Sequence, residues 1–304
     1  MKLFSTYLKA PANSETAIIN NWQDISVNDS LLYSYRDTEY SESTYPSNMH
    51  YHDYYELVIF EEGDISYVCE DTVYYPNATD VIIIPPRKIH MSKINAEATR
   101  YKRHVFYLYP DAFDSVIKSS LTAFITNAYS GALLKFSSHE NKAQCVDILS
   151  KLKQILTNNG NGASAIEKAL GFAYIIQLFC IFNQSTAFSD REAFELPENI
   201  LKIKNYIDEN FAVISSVTDV ANHFFYTREY VSRLFKNNFD TTISDYINKR
   251  RISESQRLIS SGASITDTCY EVGFGSMSSF IRAFKSVTGM KPSDYQKTSA
   301  YNEN

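Results

Sequence analysis

The chain has 304 residues, of which 44% are hydrophobic and 21% charged, so we expect a soluble globular protein with two or three compact units. No run of about 18 apolar residues occurs and the N-terminus shows no signal-peptide pattern, so we expect a cytoplasmic protein without a membrane span. The formal net charge of −6 argues against a chain that binds a polyanion along its whole length. The four cysteines lie far apart, in a spacing that matches neither a metal site nor a disulfide framework.

Residues 31–109 favour β-strands, because the segment is rich in Tyr, Val and Ile and is interrupted by turn sequences such as EEGD and YPNATD. Within it, the sequence HYHDYYELVIFEEG carries four polar residues of equal parity. Residues of equal parity share one face of a strand. The four residues are His50, His52, Tyr54 and Glu56. A further histidine, His90, ends the later sequence PPRKIH.

Residues 111–182 change to a helical periodicity. The segment AQCVDILSKLKQIL (143–156) has the 3,4 spacing of an amphipathic helix, and NNGNG ends it. The segment AIEKALGFAYIIQLFCIF (165–182) is apolar nearly all round, which is typical of a helix buried in its own core or against a partner. We expect the two helices to form a homodimer interface, with packing inside one chain as the alternative. Residues 183–197 read as a polar connection.

The last third of the chain contains an internal repeat. YVSRLFKNNFDTTISDYI matches SFIRAFKSVTGMKPSDYQ with a shift of 49 residues, which pairs Arg233 with Arg282 and Lys236 with Lys285. Upstream of these segments, SVTD and SITD each place a capping serine three residues before an aspartate, as at a helix N-terminus. Each copy therefore predicts a short helix, a tight turn and a second helix.

Basic charge concentrates in this repeat, since residues 226–297 hold 11 Lys and Arg against 7 Asp and Glu in an otherwise acidic chain. An α-helix fits the major groove of DNA, where outward side chains reach bases and phosphates. For one copy alone, a helical bundle with solvated polar faces would explain the pattern equally well. The matched Arg and Lys of two copies favour DNA binding. The predicted DNA-binding residues are Thr227, Arg228, Glu229, Ser232, Arg233, Lys236, Ser276, Met277, Ser278, Ile281, Arg282 and Lys285.

Residues 242–260 predict one long helix between the two copies, which Gly262 ends. Such a helix is about 28 Å long, and a turn of DNA spans about 34 Å, so the two copies could enter successive major grooves. The basic residues of this helix could bind either DNA phosphates or acidic groups within the protein. These residues are Lys249, Arg250 and Arg251.

The segment ITDTCYEVGFGSMSSFIRAFKSVTGMKPSDY resembles the signature of the AraC/XylS family of transcriptional regulators. VANHFFYTREYVSRLFKNNFDTTISDYINKRRISESQRLISSG resembles that family's first helix-turn-helix and linker helix. The resemblance covers residues 196–297 and implies sequence-specific binding of double-stranded DNA by two helix-turn-helix units under effector control. The chain departs from the family pattern at Ser279, where an aromatic residue is common. Further departures are Cys269 and Ser255 in place of alanine, and Asp240 in place of glycine.

The sequences HYHDYYELVIFEEG and PPRKIH resemble the two motifs of the cupin barrel, as it appears in the sensor domains of AraC-type regulators. The resemblance implies a pocket for a small effector lined by His50, His52, Tyr54, Glu56 and His90. Aromatic faces and polar groups of this kind suit a sugar-like ligand. In cupin enzymes the matching set binds a divalent metal, here His50, His52, Glu56 and His90. Because Arg87 stands where glycine is expected, we expect no metal and no other cofactor, with a metal site or a purely structural role as the alternatives.

Together these patterns predict an α+β, multidomain protein. A cupin-like β-barrel occupies residues 1–109, a helical dimerisation region residues 110–190, and an all-α DNA-binding domain with two helix-turn-helix units residues 191–304. The predicted function is a ligand-responsive transcriptional regulator without enzymatic activity, for which RNA polymerase is a further partner. A metal-dependent cupin enzyme with an appended helical domain is the alternative, although an enzyme needs no second helix-turn-helix. A regulator with a vestigial barrel is a third reading.

Overall fold

The computed structural model describes residues 17–28, 30–40, 49–94, 100–109, 132–136, 138–157, 163–184, 186–188 and 193–301. The chain divides into two compact units. The first comprises Met1–Ser47 and Tyr51–Glu195, and the second comprises Asn48–His50 and Leu196–Asn304. The helices predicted between residues 110 and 190 thus share the first unit with the strands, while residues 110–131 of that region lie outside the described part.

The first unit is built on two antiparallel sheets. Its strands are β1 (Ala17–Asn28), β2 (Leu31–Tyr40), β3 (Tyr55–Glu62), β4 (Ile65–Cys69), β5 (Thr72–Tyr74), β6 (Val81–Ile84), β7 (His90–Ile94), β8 (Arg100–Leu108), β9 (Ala132–Phe136), β10 (Thr186–Phe188) and β11 (Ala193–Glu195). One sheet has the order β1-β2-β8-β3-β6-β9-β10 and the other the order β11-β5-β4-β7. The predicted α+β class with a cupin-like N-terminal part is confirmed.

The sequence interpretation is wrong about several strands at the margins of this unit. Strand β9 lies inside a region predicted to be helical, and β10 and β11 lie inside the predicted polar connection. Strand β1 precedes the predicted strand region. Three of these strands have only three to five residues, and a short apolar run such as ALLKF cannot be told from a piece of helix by its periodicity.

Strand β3 shows how the larger sheet separates two cores. Val58 and Phe60 point toward the smaller sheet and pack with Tyr67. Leu57 and Ile59 point the other way, toward helices α1 (His139–Thr157) and α2 (Ala165–Gln184). Because successive side chains of a strand face opposite sides, Glu56 shares the inner face with Val58. The barrel interior therefore receives a carboxylate among apolar and aromatic side chains.

Helix α2 buries one side and exposes the other. Its buried side, including Ile175, Leu178 and Phe179, packs into the core beneath the larger sheet. On the opposite side Ile166 is 81% exposed and Leu170 is 44% exposed. By length and composition α2 would be able to cross a membrane, with a mean hydropathy of 1.6 over its most apolar window, but the core helix of a soluble protein meets the same criterion.

The second unit is mainly helical in its described part. It contains α3 (Glu198–Asn210), α4 (Val217–His223), α5 (Arg228–Phe239), α6 (Ile243–Ser260), α7 (Ile265–Glu271), α8 (Met277–Thr288) and α9 (Pro292–Tyr301). Helices α4 and α5 form the first helix-turn-helix, α7 and α8 form the second, and α6 is the long linker helix, all as predicted. The predicted caps are also present, since Ser216 makes a full capping box and Ser264 accepts from the amide of Asp267.

The turns of the two helix-turn-helix units differ in their packing. Gly273 in the second turn has a φ of +93°, and a Cβ there would lie 2.0 Å from the carbonyl oxygen of Ala212. The equivalent residue of the first turn is Phe225, which has a φ of 57° and is 97% exposed. The second turn thus requires glycine both for its left-handed backbone and for the close approach of another segment.

The basic residues of α6 have partners within the second unit. Arg251 donates to the carbonyls of Phe211 and Ile214 at 2.9 and 2.8 Å. Arg250 forms an ion pair with Asp208 at 2.9 Å, and Lys249 donates to the carbonyl of Met49. The sequence left DNA phosphates and acidic groups of the protein as alternative partners, and in the structure all three residues bind groups of the protein. Only Arg250 binds an acidic group, whereas Lys249 and Arg251 bind backbone carbonyls.

Candidate functional sites

The recognition helices α5 and α8 repeat the same division into inner and outer faces. In α5 the buried residues are Val231, Phe235 and Phe239, and the equivalent residues of α8 are buried as well: Phe280, Phe284 and Thr288. Apolar residues at this 3,4 spacing hold each helix against its own unit. The opposite face of each helix is therefore left to solvent or to a partner.

The predicted DNA-binding residues lie on these outer faces. Ten of the twelve are exposed, and only Ser232 and Met277 are half-buried. Among them Ile281 is an apolar side chain with 38% exposure on an otherwise polar surface. The structure thus brings Arg233 and Lys236 together on α5, and Arg282 and Lys285 together on α8.

Two of the predicted residues are occupied as helix caps. The hydroxyl of Thr227 accepts from the amide of Tyr230 at 3.2 Å, and the hydroxyl of Ser276 accepts from the amide of Ser279 at 3.3 Å. A capping side chain satisfies one of the orphan donors of the first helical turn. These two residues fix where each recognition helix begins.

A second candidate site lies on the inner face of the barrel, where three of the predicted residues meet. The Nε2 atom of His52 lies 2.8 Å from Oε2 of Glu56, and the Nε2 atom of His90 lies 3.4 Å from the same oxygen. All three residues are buried. Burial of a carboxylate is costly unless hydrogen-bonding partners compensate it, so this cluster is a specific feature of the interior.

The other ring nitrogens fix the orientation of both histidines. Nδ1 of His52 lies 2.8 Å from the carbonyl oxygen of Tyr54, and Nδ1 of His90 lies 2.8 Å from that of Lys88. A carbonyl only accepts, so each Nδ1 carries a proton, and an Nε2 atom donates to the carboxylate of Glu56 only when its ring is a protonated imidazolium. Burial alone would raise the pKa of Glu56, but the two imidazoles hold that pKa well below its ordinary value. The two imidazoles therefore favour the ionised form of this carboxylate.

Tyrosine rings surround this cluster. The ring of Tyr54 stacks on that of His52 with centroids 4.0 Å apart and meets Tyr107 edge-on at 5.3 Å. Tyr107 lies opposite Glu56 in the pairing of β3 with β8, and its hydroxyl accepts from Arg36. The sequence analysis did not identify Tyr107 and Arg36 as residues of this site. Tyr107 has the same parity as Tyr101 and Arg103 along β8, and this shared strand face is the signal that could have identified it.

The two remaining residues of the predicted motifs are placed differently. His50 is exposed and lies in Asn48–His50, which groups with the second unit, whereas the other four predicted effector-site residues lie in the first. Arg87, which stands where glycine was expected, has a φ of 65° and so keeps the left-handed backbone that glycine favours. Its amide donates to the carbonyl of His52 at 2.7 Å and its Nε to Asp53 at 3.2 Å, which ties the turn of PPRKIH to HYHDYY.

The geometry of the cluster suits either of two occupants. Metal-bound histidines usually donate their other ring N–H to a carbonyl or carboxylate, and the rings of His52 and His90 are oriented in that way here. The same groups, which combine an anionic acceptor with imidazoles and stacked tyrosines, also fit the hydroxyl groups of a small polar molecule.

Family models match both units of the chain. A model described as an AraC-like ligand binding domain matches residues 35–175, and a model described as a helix-turn-helix domain matches residues 220–298. The first match includes the His52, Glu56 and His90 cluster, and the second includes both recognition helices.

Individual relatives agree with these matches. The HTH-type transcriptional activator AarP of Providencia stuartii is 30% identical over 106 residues, which are 34% of this chain and 78% of AarP. The uncharacterized HTH-type transcriptional regulator YbfI of Bacillus subtilis is 22% identical over 230 residues, which are 75% of this chain and 79% of YbfI. The chain spans only about a third of the length of two further curated relatives. Among solved structures, ToxT from Vibrio cholerae O395 is 17% identical with a TM-score of 0.35, over 91% of this chain and 96% of ToxT.

Proposed function

Because the chain belongs to the AraC family of transcriptional regulators, we propose that helices α5 and α8 enter successive major grooves of an operator and read its bases. The observation that carries this proposal is the pair Arg233 and Arg282, which are exposed at equivalent positions of the two repeats. Arginine is the commonest reader of guanine, because its guanidinium pairs with O6 and N7 together.

The other outer residues take roles that follow from their chemistry. Lys236 and Lys285 are long cations one turn further along each helix, and they reach phosphates. Ile281 contacts a thymine methyl group, the usual apolar feature of the major groove. The remaining predicted residues position the helix starts or make polar contacts beside them: Thr227, Arg228, Glu229, Ser232, Ser276, Met277 and Ser278.

For the first unit we propose a small polar effector, sugar-like in its hydroxyl groups, bound on the inner face of the barrel. His52, Tyr54, Glu56 and His90 would hold it, and His50 is the fifth residue of the predicted set. An ionised carboxylate among aromatic rings supplies the acceptor that such a ligand needs. To regulate, the ligand must bind one conformation of the protein more tightly than another, since equal affinity shifts nothing.

His52→Ala and Glu56→Ala should each weaken the effector response about tenfold or more while leaving basal DNA binding intact. The reason is that a hydrogen bond to a charged group is typically worth about 1.5–3 kcal/mol. The measurement is operator affinity titrated with a panel of monosaccharides, alongside the metal content of protein purified without chelator. Loss of stoichiometric iron, manganese, nickel or zinc in both variants would instead support the metal alternative. Lower stability with an unchanged response would leave these residues a structural role only.

We also propose that the chain is a homodimer joined through the exposed side of α2. This side carries a stripe with few charges at 3,4 spacing, formed by Ile166, Ala169, Leu170, Ala173, Gln177 and Cys180. A contiguous apolar surface on a soluble protein commonly marks an interaction site. Closed two-fold symmetry is the commonest arrangement of homo-oligomers, and it would cover the same stripe on both copies.

Ile166→Glu combined with Leu170→Glu should raise the dimer dissociation constant at least tenfold, because the dimer would then bury unpaired charges. Light scattering at micromolar concentration, with and without DNA, measures the mass. Gln154→Glu on an exposed position of α1 is the matched control and should stay dimeric. A monomeric wild-type protein under both conditions would assign the exposed side of α2 to another role.

Three further features belong to this proposal. The protein is cytoplasmic, RNA polymerase is a further partner, and the barrel has no enzymatic activity. YbfI and AarP are named as transcriptional regulators, which supports a role in transcription and not in catalysis. A metal-dependent cupin enzyme with an appended helical domain is the alternative, and turnover of a substrate by metal-loaded protein would favour it.

A further inference from the structure

The second helix-turn-helix contains a groove of about 500 Å³, and of its lining residues only Arg282 belongs to the DNA-binding set described above. It lies between the linker helix α6, which contributes Asn248 and Arg251, and the recognition helix α8, which contributes Ser279, Arg282 and Ala283. Phe274, from the turn before α8, lines it as well. The groove therefore sits directly beside the outer face that carries Arg282.

Comparison of the two repeats explains why this space exists. In the first copy Tyr226 follows the turn residue Phe225, and its ring packs with that of Tyr230 with centroids 4.9 Å apart. In the second copy Phe274 follows Gly273 in the same way, but Ser279 stands in the place of Tyr230, and Gly275 has no counterpart. One aromatic ring present in the first repeat is thus absent from the second. Ser279 is also a position where the sequence departs from the family pattern.

The groove combines an aromatic wall with positive charge. The guanidinium of Arg251 lies 5.5 Å from the centre of the Phe274 ring. Its bonds to the carbonyls of Phe211 and Ile214 use only two of its five N–H donors. Arg282 is exposed on the α8 side of the same groove, and Asn248 and Ser279 add an amide and a hydroxyl.

We propose that this groove binds a planar aromatic carboxylate. The ring occupies the space that Tyr230 fills in the first repeat and packs on Phe274. The carboxylate pairs with Arg282, since a guanidinium matches a carboxylate through two parallel hydrogen bonds, and the charge of Arg251 adds to the attraction. Binding itself is independent of the DNA-binding function. Its consequence rests on that function, because a bound carboxylate withdraws Arg282 from the operator.

The test is calorimetric titration of the full chain with indole-3-carboxylate, using indole-3-carboxamide as the uncharged control. Ser279→Tyr restores the aromatic side chain that Tyr230 supplies in the first repeat and fills the groove. We expect this variant and Arg282→Ala to bind the carboxylate at least tenfold more weakly than wild type. We expect the carboxamide to bind at least tenfold more weakly than the carboxylate. Thr266→Tyr adds a ring at an exposed position of α7 and should bind like wild type.

Several results would overturn the proposal. These are an unchanged dissociation constant in the filled variant with a native circular dichroism spectrum, equal binding of the carboxylate and the carboxamide, or no binding to wild type at millimolar concentration. Operator binding separates this proposal from the DNA-binding function. The probe should weaken the operator affinity of wild type and not that of the filled variant. Loss of operator binding by the filled variant, with no probe bound to wild type, would assign the groove to DNA.

Discussion

Replacing Arg233 and Arg282 together with alanine should lower the affinity for operator DNA at least about 30-fold. A lost base contact is typically worth about 1–3 kcal/mol, and each 1.4 kcal/mol is a factor of ten. The two arginines lie on separate helices, so their effects should add. Both side chains are exposed, and neither packs in the core, so the fold should survive. Fluorescence anisotropy at fixed salt, with an operator taken from genome-wide mapping of bound DNA, measures the change.

The single variants and a charge-matched control make this result specific. Arg257→Ala removes the same charge from the linker helix, where Arg257 is exposed and bonded to Glu254 at 3.0 Å, and it should change operator affinity little. Each recognition-helix variant should lose more affinity for the operator than for unrelated DNA, because base contacts carry the sequence preference. Equal operator affinity of wild type and both single variants would remove Arg233 and Arg282 from the interface.

Gly273→Ala should destabilise the second unit by about 3 kcal/mol or more. Two costs combine at this position. A residue other than glycine at φ +93° carries backbone strain of about 1–3 kcal/mol, and the new Cβ would lie 2.0 Å from the carbonyl oxygen of Ala212. Backbone has to shift to relieve that contact, at a typical further cost of about 1–3 kcal/mol.

Gly262→Ala is the matched control, because it separates the two costs. Gly262 has nearly the same φ, +91°, but a Cβ there would meet nothing within 4 Å. It should therefore show the strain alone, and chemical denaturation followed by circular dichroism should place its unfolding free energy between wild type and Gly273→Ala. Equal loss in the two variants would mean that the approach of Ala212 contributes nothing to stability.

The second unit could be predicted from sequence in some detail, because its signals are local. The helix caps are Ser216, Thr227, Ser264 and Ser276. Each side chain accepts a hydrogen bond from the backbone amide three residues later, so the sequence alone specifies these caps. The repeat after 49 residues shows the same helix-turn-helix pattern a second time, which supports the prediction independently. The outer faces of α5 and α8 followed from helical spacing once the buried residues were recognised.

Other features depend on contacts that sequence spacing does not contain. Arg251 binds carbonyls about forty positions away, and backbone carbonyls have no sequence signature. Tyr107 meets Glu56 only through the register of β3 against β8, which a single sequence does not specify. The sequence indicates the groove beside α8 only through Ser279, which stands where the family commonly has an aromatic residue. The volume of the groove depends on how α6 packs against α8.

Dimethyl sulfate footprinting of the full chain on its operator tests the central claim most directly, because the reagent methylates N7 of guanine in the major groove. Two bound recognition helices predict two protected patches on one face of the DNA, about 10 base pairs apart. Arg282→Ala should remove one patch and Arg233→Ala the other. A single patch that both variants weaken equally, or protection confined to the minor groove, would contradict a regulator that reads DNA with both helices.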